Sequence, residues 1–372
     1  MSPGVIRVLH IARYRSPLME GKVERLAAQP DLALGAVRPA RWRDLYGAAV
    51  VQPQIPGVRV WTVPMVGRPD DPHRALYGTL TFAMRAVQPH LIHAEEEPDS
   101  LAALQIVLAR RLFAPRARLV LHTWQNVDRP KGWHVRQVLR WTLGSADAVL
   151  CANREAVSVL WALGYAGRTA VIPPIGVDTR IFRPMAASRS GEAFIVAYAG
   201  RFVPEKGLDL LLEAVARLEA RAQLWLMGAG PERPRLEALA ARLGIADRVR
   251  WLSPAAPEAL PAFLAQVDVV VLPSRSTPVW KEQFGRILVE AMACRVPVIG
   301  AASGAIPEVV GEAGWLFPEG DVAALAEALR RLMADTALRQ ELAERGYAWA
   351  LALYTQERVA EQTAAFYREI LS

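Results

Sequence analysis

The sequence predicts an α/β protein of two doubly wound domains facing a central cleft. Short apolar, strand-like runs alternate with amphipathic helical stretches along all 372 residues, the pattern of parallel sheets covered by helices. That length exceeds what one core of ordinary size fills. A Pro-rich segment near the middle interrupts the alternation, which then starts again.

In the first half, Ile6–Ile11, Leu91–Ala94, Leu119–Thr123, Ala148–Cys151 and Ala170–Ile172 read as buried strands. Helical spacing fills the gaps, as over Asp99–Leu112 and Val135–Leu143. The break is Ile172-Pro173-Pro174-Ile175-Gly176-Val177-Asp178, running on to Phe182-Arg183-Pro184, and is the candidate hinge. The second half reads as strands at Phe194–Ala199, Gln223–Met227, Val249–Leu252, Asp268–Leu272, Pro297–Gly300 and Gly314–Phe317. Helices are expected at Leu208–Leu218, Arg233–Leu243 and Glu258–Ala265, with helical sequence from Val322 to about Leu371.

Composition is that of an ordinary globular chain, 52% apolar and 22% charged, with no run apolar enough to span a membrane. The first residues read as a buried strand and lack a signal peptide's cleavage pattern. Cys151 and Cys294 stand far apart in apolar contexts and read as core thiols of a reducing, cytoplasmic compartment. Up to Pro184, 24 Lys and Arg oppose 14 Asp and Glu, while the remainder is slightly acidic. A basic N-terminal half suits anionic lipid at the inner face of the cell membrane, or a phosphorylated acceptor. A well-solvated Arg-rich surface accounts for it equally. Nucleic acid is not expected, since no helix-turn-helix, zinc-finger or RNP-type signature is present. Four residues are Lys against 40 Arg, a bias that reads as compositional, and against it a retained Lys is a candidate for a place where a compact ammonium is wanted.

The chemistry concentrates in Lys281-Glu282-Gln283-Phe284-Gly285-Arg286-Ile287-Leu288-Val289-Glu290-Ala291-Met292-Ala293. A helix starting near Gly285 offers free backbone N–H groups to an anion, with Glu282 before it and Glu290 on its face. That suits a ligand with phosphate in the middle and hydroxyl-rich ends, as in a nucleotide sugar. Dipole complementarity and solvation are the plain alternative for both acids. Gly200-Arg201-Phe202-Val203-Pro204-Glu205-Lys206-Gly207 follows a strand, and Arg201 and Lys206 can converge on a diphosphate. Gly228-Ala229-Gly230-Pro231 fails as a dinucleotide fingerprint, because Arg233 occupies the third glycine position, and reads rather as a tight turn. Ser303-Gly304-Ala305-Ile306-Pro307-Glu308 is either a further lining loop or a plain turn.

Taken in order, Gly-Arg-x3-Glu-Lys-Gly, Gly-x-Gly-Pro and Glu-x7-Glu-Ala-Met-Ala resemble the second domain of retaining GT-B glycosyltransferases of family 4, the glycosyl transferases group 1. The resemblance covers Phe194 to Phe317 and extends through Gly176-Val177-Asp178 of the hinge, where Ile175 replaces the family's usual Asn. It implies two Rossmann-like domains: 1–183 on the acceptor side and 184–354 binding the donor, with a closing helix at about 355–372 packing back on the first. It implies that Arg201 and Lys206 hold the donor diphosphate, Glu282 the transferred sugar and Glu290 the ribose. Backbone N–H groups of Phe284, Gly285, Arg286 and Ile287 would cradle sugar and phosphate, with Leu252 and Ser253 near the nucleobase. No cofactor or metal is expected, and the chain has no Asp-x-Asp triplet.

In the first domain, Ser16-Pro17-Leu18-Met19-Glu20-Gly21 replaces the family's Gly-Gly loop, leaving Gly21 to keep its phosphate-side role. His122, at a strand end expected to face the cleft, resembles the family's active-site His. Trp124 and Gln125 are candidates for acceptor or donor hydroxyls, and Glu95 for acceptor contact. Glu96 and Glu97 read as a solvated acidic loop. The expected reaction moves a hexose from a nucleotide-diphosphate sugar to the hydroxyl of a carbohydrate or lipid-linked acceptor, in cell-envelope polysaccharide or glycolipid synthesis. A phosphorylase or sugar-phosphate synthase on the same fold is the alternative, and an NAD-dependent dehydrogenase a remote one.

Overall fold

The computed structural model describes residues 4–14, 17–44, 47–50, 54–68, 73–186 and 192–372; Ser16 of the first loop lies outside them. The chain divides into two compact units, one of residues 1–176 and 356–372, the other of 177–355. The sequence placed the boundary after Arg183. It falls earlier because the hinge folds into the second unit: Val177 N–H donates to Tyr354 O (2.7 Å) and Phe182 N–H to Asp178 O (2.8 Å).

The first unit holds a parallel sheet of seven strands: β1 (Ile6–Ala12), β2 (Leu32–Pro39), β3 (Arg59–Val63), β4 (Leu91–Glu95), β5 (Arg118–Thr123), β6 (Ala148–Cys151) and β7 (Arg168–Val171). Their order is β7-β6-β5-β4-β1-β2-β3, so the winding reverses between β1 and β4. Inner strands such as Leu119–Thr123 are buried at every position, hence their continuous apolar sequence. Strands β2 and β3 escaped the sequence reading. In β2, Gly35 interrupts the apolar run because a Cβ there would meet Val87 and Trp61 side chains at 2.6 and 2.8 Å. Strand β3 is a half-exposed edge.

The helical tail consists of three helices, Val322–Ala334, Thr336–Leu353 and Gln356–Leu371. Asp321 and Asp335 cap the first two by accepting from Ala324 and Leu338 N–H. The last helix belongs to the first unit, where Val359, Ala364 and Tyr367 join the core of Val8, Val23, Leu26 and Val120.

The second unit holds six parallel strands: β8 (Phe194–Ala199), β9 (Ala222–Met227), β10 (Val249–Leu252), β11 (Val269–Leu272), β12 (Val298–Ala301) and β13 (Trp315–Phe317). Their order is β10-β9-β8-β11-β12-β13, again reversing between the first strand and the fourth. At such a reversal the loops leaving neighbouring strands part, and a crevice opens at their carboxyl ends.

Candidate active site

In the second unit the loops leaving β8 and β11 meet at this reversal. Gly207 (φ 63°) ends the turn Pro204–Lys206, and a Cβ on it would lie 2.1 Å from Pro273 O, so only glycine lets the loops touch. Arg275 N–H donates to Glu205 O (2.8 Å) across the same seam. Lys206 Nζ donates to Glu282 Oε2 at 2.5 Å, and Ser274 Oγ donates to the same oxygen at 2.8 Å. Glu282 is 7% exposed. The Trp280 ring centroid stands 5.0 Å from the ammonium. The Ser303–Glu308 segment braces this loop. Ala305 N–H donates to Glu282 O (2.9 Å), and Ser276 and Ser303 hydroxyls share a 3.0 Å bond. Arg201 follows β8 half-buried, its carbonyl accepting from Tyr198 Oη (2.8 Å).

The helix Arg286–Ala293 begins at Gly285, whose φ of 77° and 2.9 Å Cβ approach to the Leu272 side chain both require glycine. No described hydrogen bond is donated by the backbone N–H of Phe284, Gly285, Arg286 or Ile287; Leu288 N–H, on Gly285 O, is the first engaged. Four donors thus gather at the positive end of the helix dipole. Glu290 is the one acid on this helix, which from Ile287 to Ala293 is buried and otherwise apolar. Burial raises its pKa, and Arg286, 2.6 Å away, opposes that rise.

Leu252 ends β10 and Ser253 is exposed just beyond it. Trp251 packs edge-on against Phe202, ring centroids 6.0 Å apart, which ties this strand end to the Arg201 loop. The Gly228–Gly230 turn is filled by the chain itself: a Cβ would lie 1.9 Å from Gly200 O at Gly228, and 2.2 Å from Phe202 O at Gly230. These glycines serve the close packing of the two loops.

The first unit corrects several expectations. His122 does not face outward. It is 1% exposed, shares a 3.1 Å bond with Ile172 O, and burial lowers its pKa to about 3. It stacks on His93 (5.5 Å), which meets His10 edge-on (4.9 Å), so three neighbouring strands each give an imidazole to one buried layer. Glu95 is not open to an acceptor. Its carboxylate takes Lys22 Nζ, Tyr14 Oη (2.8 Å) and His10 Nε2 (3.2 Å). Burial alone would raise the Glu95 pKa, but Lys22 and His10 hold it well below the usual range. His10, His93 and Glu95 have donor atoms close enough together for a metal ion. Lys22, itself 1% exposed, already supplies that carboxylate with a cation.

Gly21 opens the helix Gly21–Ala27, and a Cβ there would overlap the Gln356 side-chain amide at 1.8 Å. It leaves room for the Gln356 side chain at the start of the C-terminal helix. Glu96 and Glu97 are not a solvated loop either. Arg13 Nε donates to Glu96 (2.8 Å), as does Tyr77 Oη (2.7 Å). Glu97 accepts from Thr123 Oγ1 (2.5 Å) and Trp124 N–H (2.8 Å), and burial raises its pKa to about 7. Gln125 donates its amide to Asp99 (3.1 Å), so Trp124 and Gln125 are pinned, half-buried, at the end of β5. Lys22 and Ser274 are the groups sequence reasoning did not place. The rarity of lysine was the available signal for the first, and Ser274 had none.

Residues 184–349 match the family model described as Glycosyl transferases group 1. The chain is 33% identical over 279 residues to the lipopolysaccharide core biosynthesis glycosyltransferase LpsE of Rhizobium meliloti, covering 72% of this chain and 74% of that protein. It is 33% identical over 264 residues to the GDP-mannose-dependent alpha-(1-6)-phosphatidylinositol monomannoside mannosyltransferase of Mycolicibacterium smegmatis, 66% of this chain and 68% of that one. The match to the D-inositol 3-phosphate glycosyltransferase of Geodermatophilus obscurus, 38% identical, spans 54% of this chain and about half (47%) of that protein's length. Among solved structures, sucrose-phosphate synthase of Thermosynechococcus elongatus aligns at TM-score 0.75 with 24% identity, covering 98% of each chain. HepE of Anabaena, solved in complex with UDP, aligns at 0.72 with 21% identity, covering 98% of this chain and 100% of that one. Both likenesses are to the fold, which is GT-B. By its sequence relatives, this chain belongs to the glycosyl transferases group 1 family.

Proposed function

We propose that this protein transfers a hexose from a nucleotide-diphosphate sugar to an acceptor hydroxyl, with retention at the anomeric carbon. The observation that carries the reading is the Lys206–Glu282–Ser274 contact at the reversal of the second sheet, beside four undonated N–H groups. Cationic charge and fixed dipoles converge there next to a carboxylate, as a diphosphate joined to a sugar requires.

In this reading Arg201, Lys206 and the N–H groups of Phe284 to Ile287 bear the diphosphate. Glu282 orients hydroxyls of the transferred sugar, and Glu290 those of the ribose, with Leu252 and Ser253 beside the base. The acceptor oxygen bonds to the anomeric carbon as the bond from that carbon to the β-phosphate oxygen breaks. The acceptor's proton passes to the leaving phosphate. Charge developing on the leaving group is met by side chains and backbone, so the step needs no divalent metal. The acceptor is a carbohydrate or lipid-linked hydroxyl of a cell-envelope polysaccharide or glycolipid. His122 is left out of this reading because it is enclosed in the first unit.

The test is a thermal-shift panel of nucleotide diphosphates, their sugars and NAD, followed by NMR of the product's anomeric configuration. Stabilisation by one nucleotide-diphosphate sugar and a retained anomer are expected, with or without chelator. Stabilisation by NAD alone would overturn the reading. Release of a sugar phosphate when inorganic phosphate is the acceptor would make it a phosphorylase.

A further inference from the structure

The loop between β11 and the helix Arg286–Ala293 carries an indole that the roles assigned so far leave unused. Trp280 is half-buried, and its Nε1–H has no hydrogen-bond acceptor among the described residues. No other aromatic ring packs on it among those residues. What it meets is the Lys206 ammonium, 5.0 Å from its ring centroid. That ammonium is the one bound to Glu282 at 2.5 Å. Carboxylate and indole therefore reach the same cation and stand within the span of a pyranose ring of each other. Holding Lys206 does not account for the indole. A cation–π contact at a partly wet site adds little to an ammonium already paired with a carboxylate.

The arm that carries the ring is fixed. Thr277-Pro278-Val279-Trp280 is a reverse turn closed by two backbone bonds. Thr277 N–H donates to Trp280 O (2.7 Å), and Trp280 N–H to Thr277 O (3.4 Å). Pro278 takes the second position of the turn, where its restricted φ fits. Thr277 Oγ1 donates to Trp280 O (3.3 Å) and accepts from Val279 N–H (3.3 Å). Just before the turn, Ser276 gives its N–H (2.6 Å) and its hydroxyl (2.8 Å) to the Glu319 carboxylate beyond β13. None of these bonds uses the indole. The ring is thus presented with little freedom left to lose on binding. A pyranose has axial C–H bonds on its face and hydroxyls at its rim. An aromatic face accepts the first, its N–H and a neighbouring carboxylate the second.

We infer that Trp280 stacks on the transferred hexose while Glu282 holds its hydroxyls, so that the indole recognises the sugar and not the diphosphate. The inference rests on the transfer reading and deepens it, because Trp280 lies outside the three motifs that carry the family resemblance.

Calorimetry of the full chain with UDP against UDP-glucose, GDP against GDP-mannose and ADP against ADP-glucose separates the sugar from the rest of the donor. In whichever pair the wild type binds, Trp280→Leu should weaken the sugar nucleotide at least about fivefold and leave the nucleoside diphosphate within about twofold. Trp280→Phe, which keeps a ring face, should recover most of that loss. Both variants keep an apolar side chain and every bond of the turn, so unfolding midpoints should stay near the wild-type value. The contrast between Leu and Phe decides the matter even if both are destabilised. Equal weakening of sugar nucleotide and nucleoside diphosphate would overturn the inference, since the ring would then act through Lys206. Unchanged sugar-nucleotide affinity in Trp280→Leu would overturn it too, and would leave the transfer reading standing. A wild type that binds no sugar nucleotide would defeat the transfer reading, and this inference with it.

Discussion

Lys206 and Glu282 meet at 2.5 Å across the two loops that part at the reversal of the second sheet, and Ser274 holds the same carboxylate oxygen. The two charges have different tasks in the proposed reaction. Lys206→Met should lower affinity for nucleoside diphosphate and its sugar alike, by about tenfold or more, since it removes a charge from the diphosphate. It should also lower the unfolding midpoint, because Glu282 is left buried without its cation. Glu282→Gln should leave nucleoside-diphosphate affinity nearly intact and cut turnover. Calorimetry alongside single-turnover rates checks the pair, and equal losses in both variants would defeat the division of labour.

Glu290 is buried on an apolar helix with Arg286 as its partner. In the proposed reaction, hydroxyl donors arriving with the ligand offset the desolvation cost of a carboxylate kept there. Glu290→Ala should weaken donor binding by about 1.5–3 kcal/mol. A donor whose ribose lacks its hydroxyls should bind wild type and variant alike. Unchanged donor affinity in the variant would remove Glu290 from the site.

Gly304 (φ 53°) approaches the backbone of Glu282 so closely that a Cβ would lie 2.3 Å from Glu282 O. The atoms it would meet are all Glu282 backbone, so the Glu282 loop must yield. Gly304→Ala should cost about 1–3 kcal/mol of stability. It should also weaken donor binding, although residue 304 offers the ligand no side chain. Wild-type affinity in a destabilised variant would show that the loop's position does not matter to the donor.

The cluster around Glu282 was legible because it is local: Glu282, Gly285 and Glu290 lie in one segment whose spacing fixes a loop, a helix start and a helix face. The inner strands were legible for a similar reason, being apolar at every position. What failed was orientation. A residue at a strand end points to either face of the sheet, and one sequence does not say which, so His122 and Glu95 were placed at an open site although both are enclosed. The partners that enclose this layer, Lys22 and Tyr367, come from the helices Gly21–Ala27 and Gln356–Leu371, at opposite ends of the chain. A signal existed: three of the chain's six histidines sit at inner positions of predicted strands. Pairing of His10 with His93 in register turns them into one layer.

That layer sets how the first unit responds to acid. Burial lowers His10 to about 4 and His122 to about 3, and holds His93 well below its ordinary value of 6.5. His10 Nδ1, His93 Nε2 and His122 Nδ1 have no hydrogen-bond partner among the described residues, and burial outweighs the attraction of the Glu95 carboxylate for a proton on any of the three rings. Between these values and 6.5 the unfolded chain binds protons that the folded chain refuses, so stability is full above about pH 6.5 and falls as pH drops toward 4. Glu97, raised to about 7, acts in the opposite sense, because its protonated form is favoured in the fold and its contribution fades as pH rises toward 7. In the first unit one raised carboxyl opposes three imidazoles, and the His122 shift alone exceeds that of Glu97. Net stability should therefore fall by on the order of 3 kcal/mol between about pH 7 and pH 4.5. Urea midpoints across that range measure it. His122→Phe should flatten the slope if it folds, and Glu97→Gln, which removes the opposing carboxyl, should steepen it. A midpoint that holds steady or rises on acidification would mean that the imidazoles take up protons within the fold.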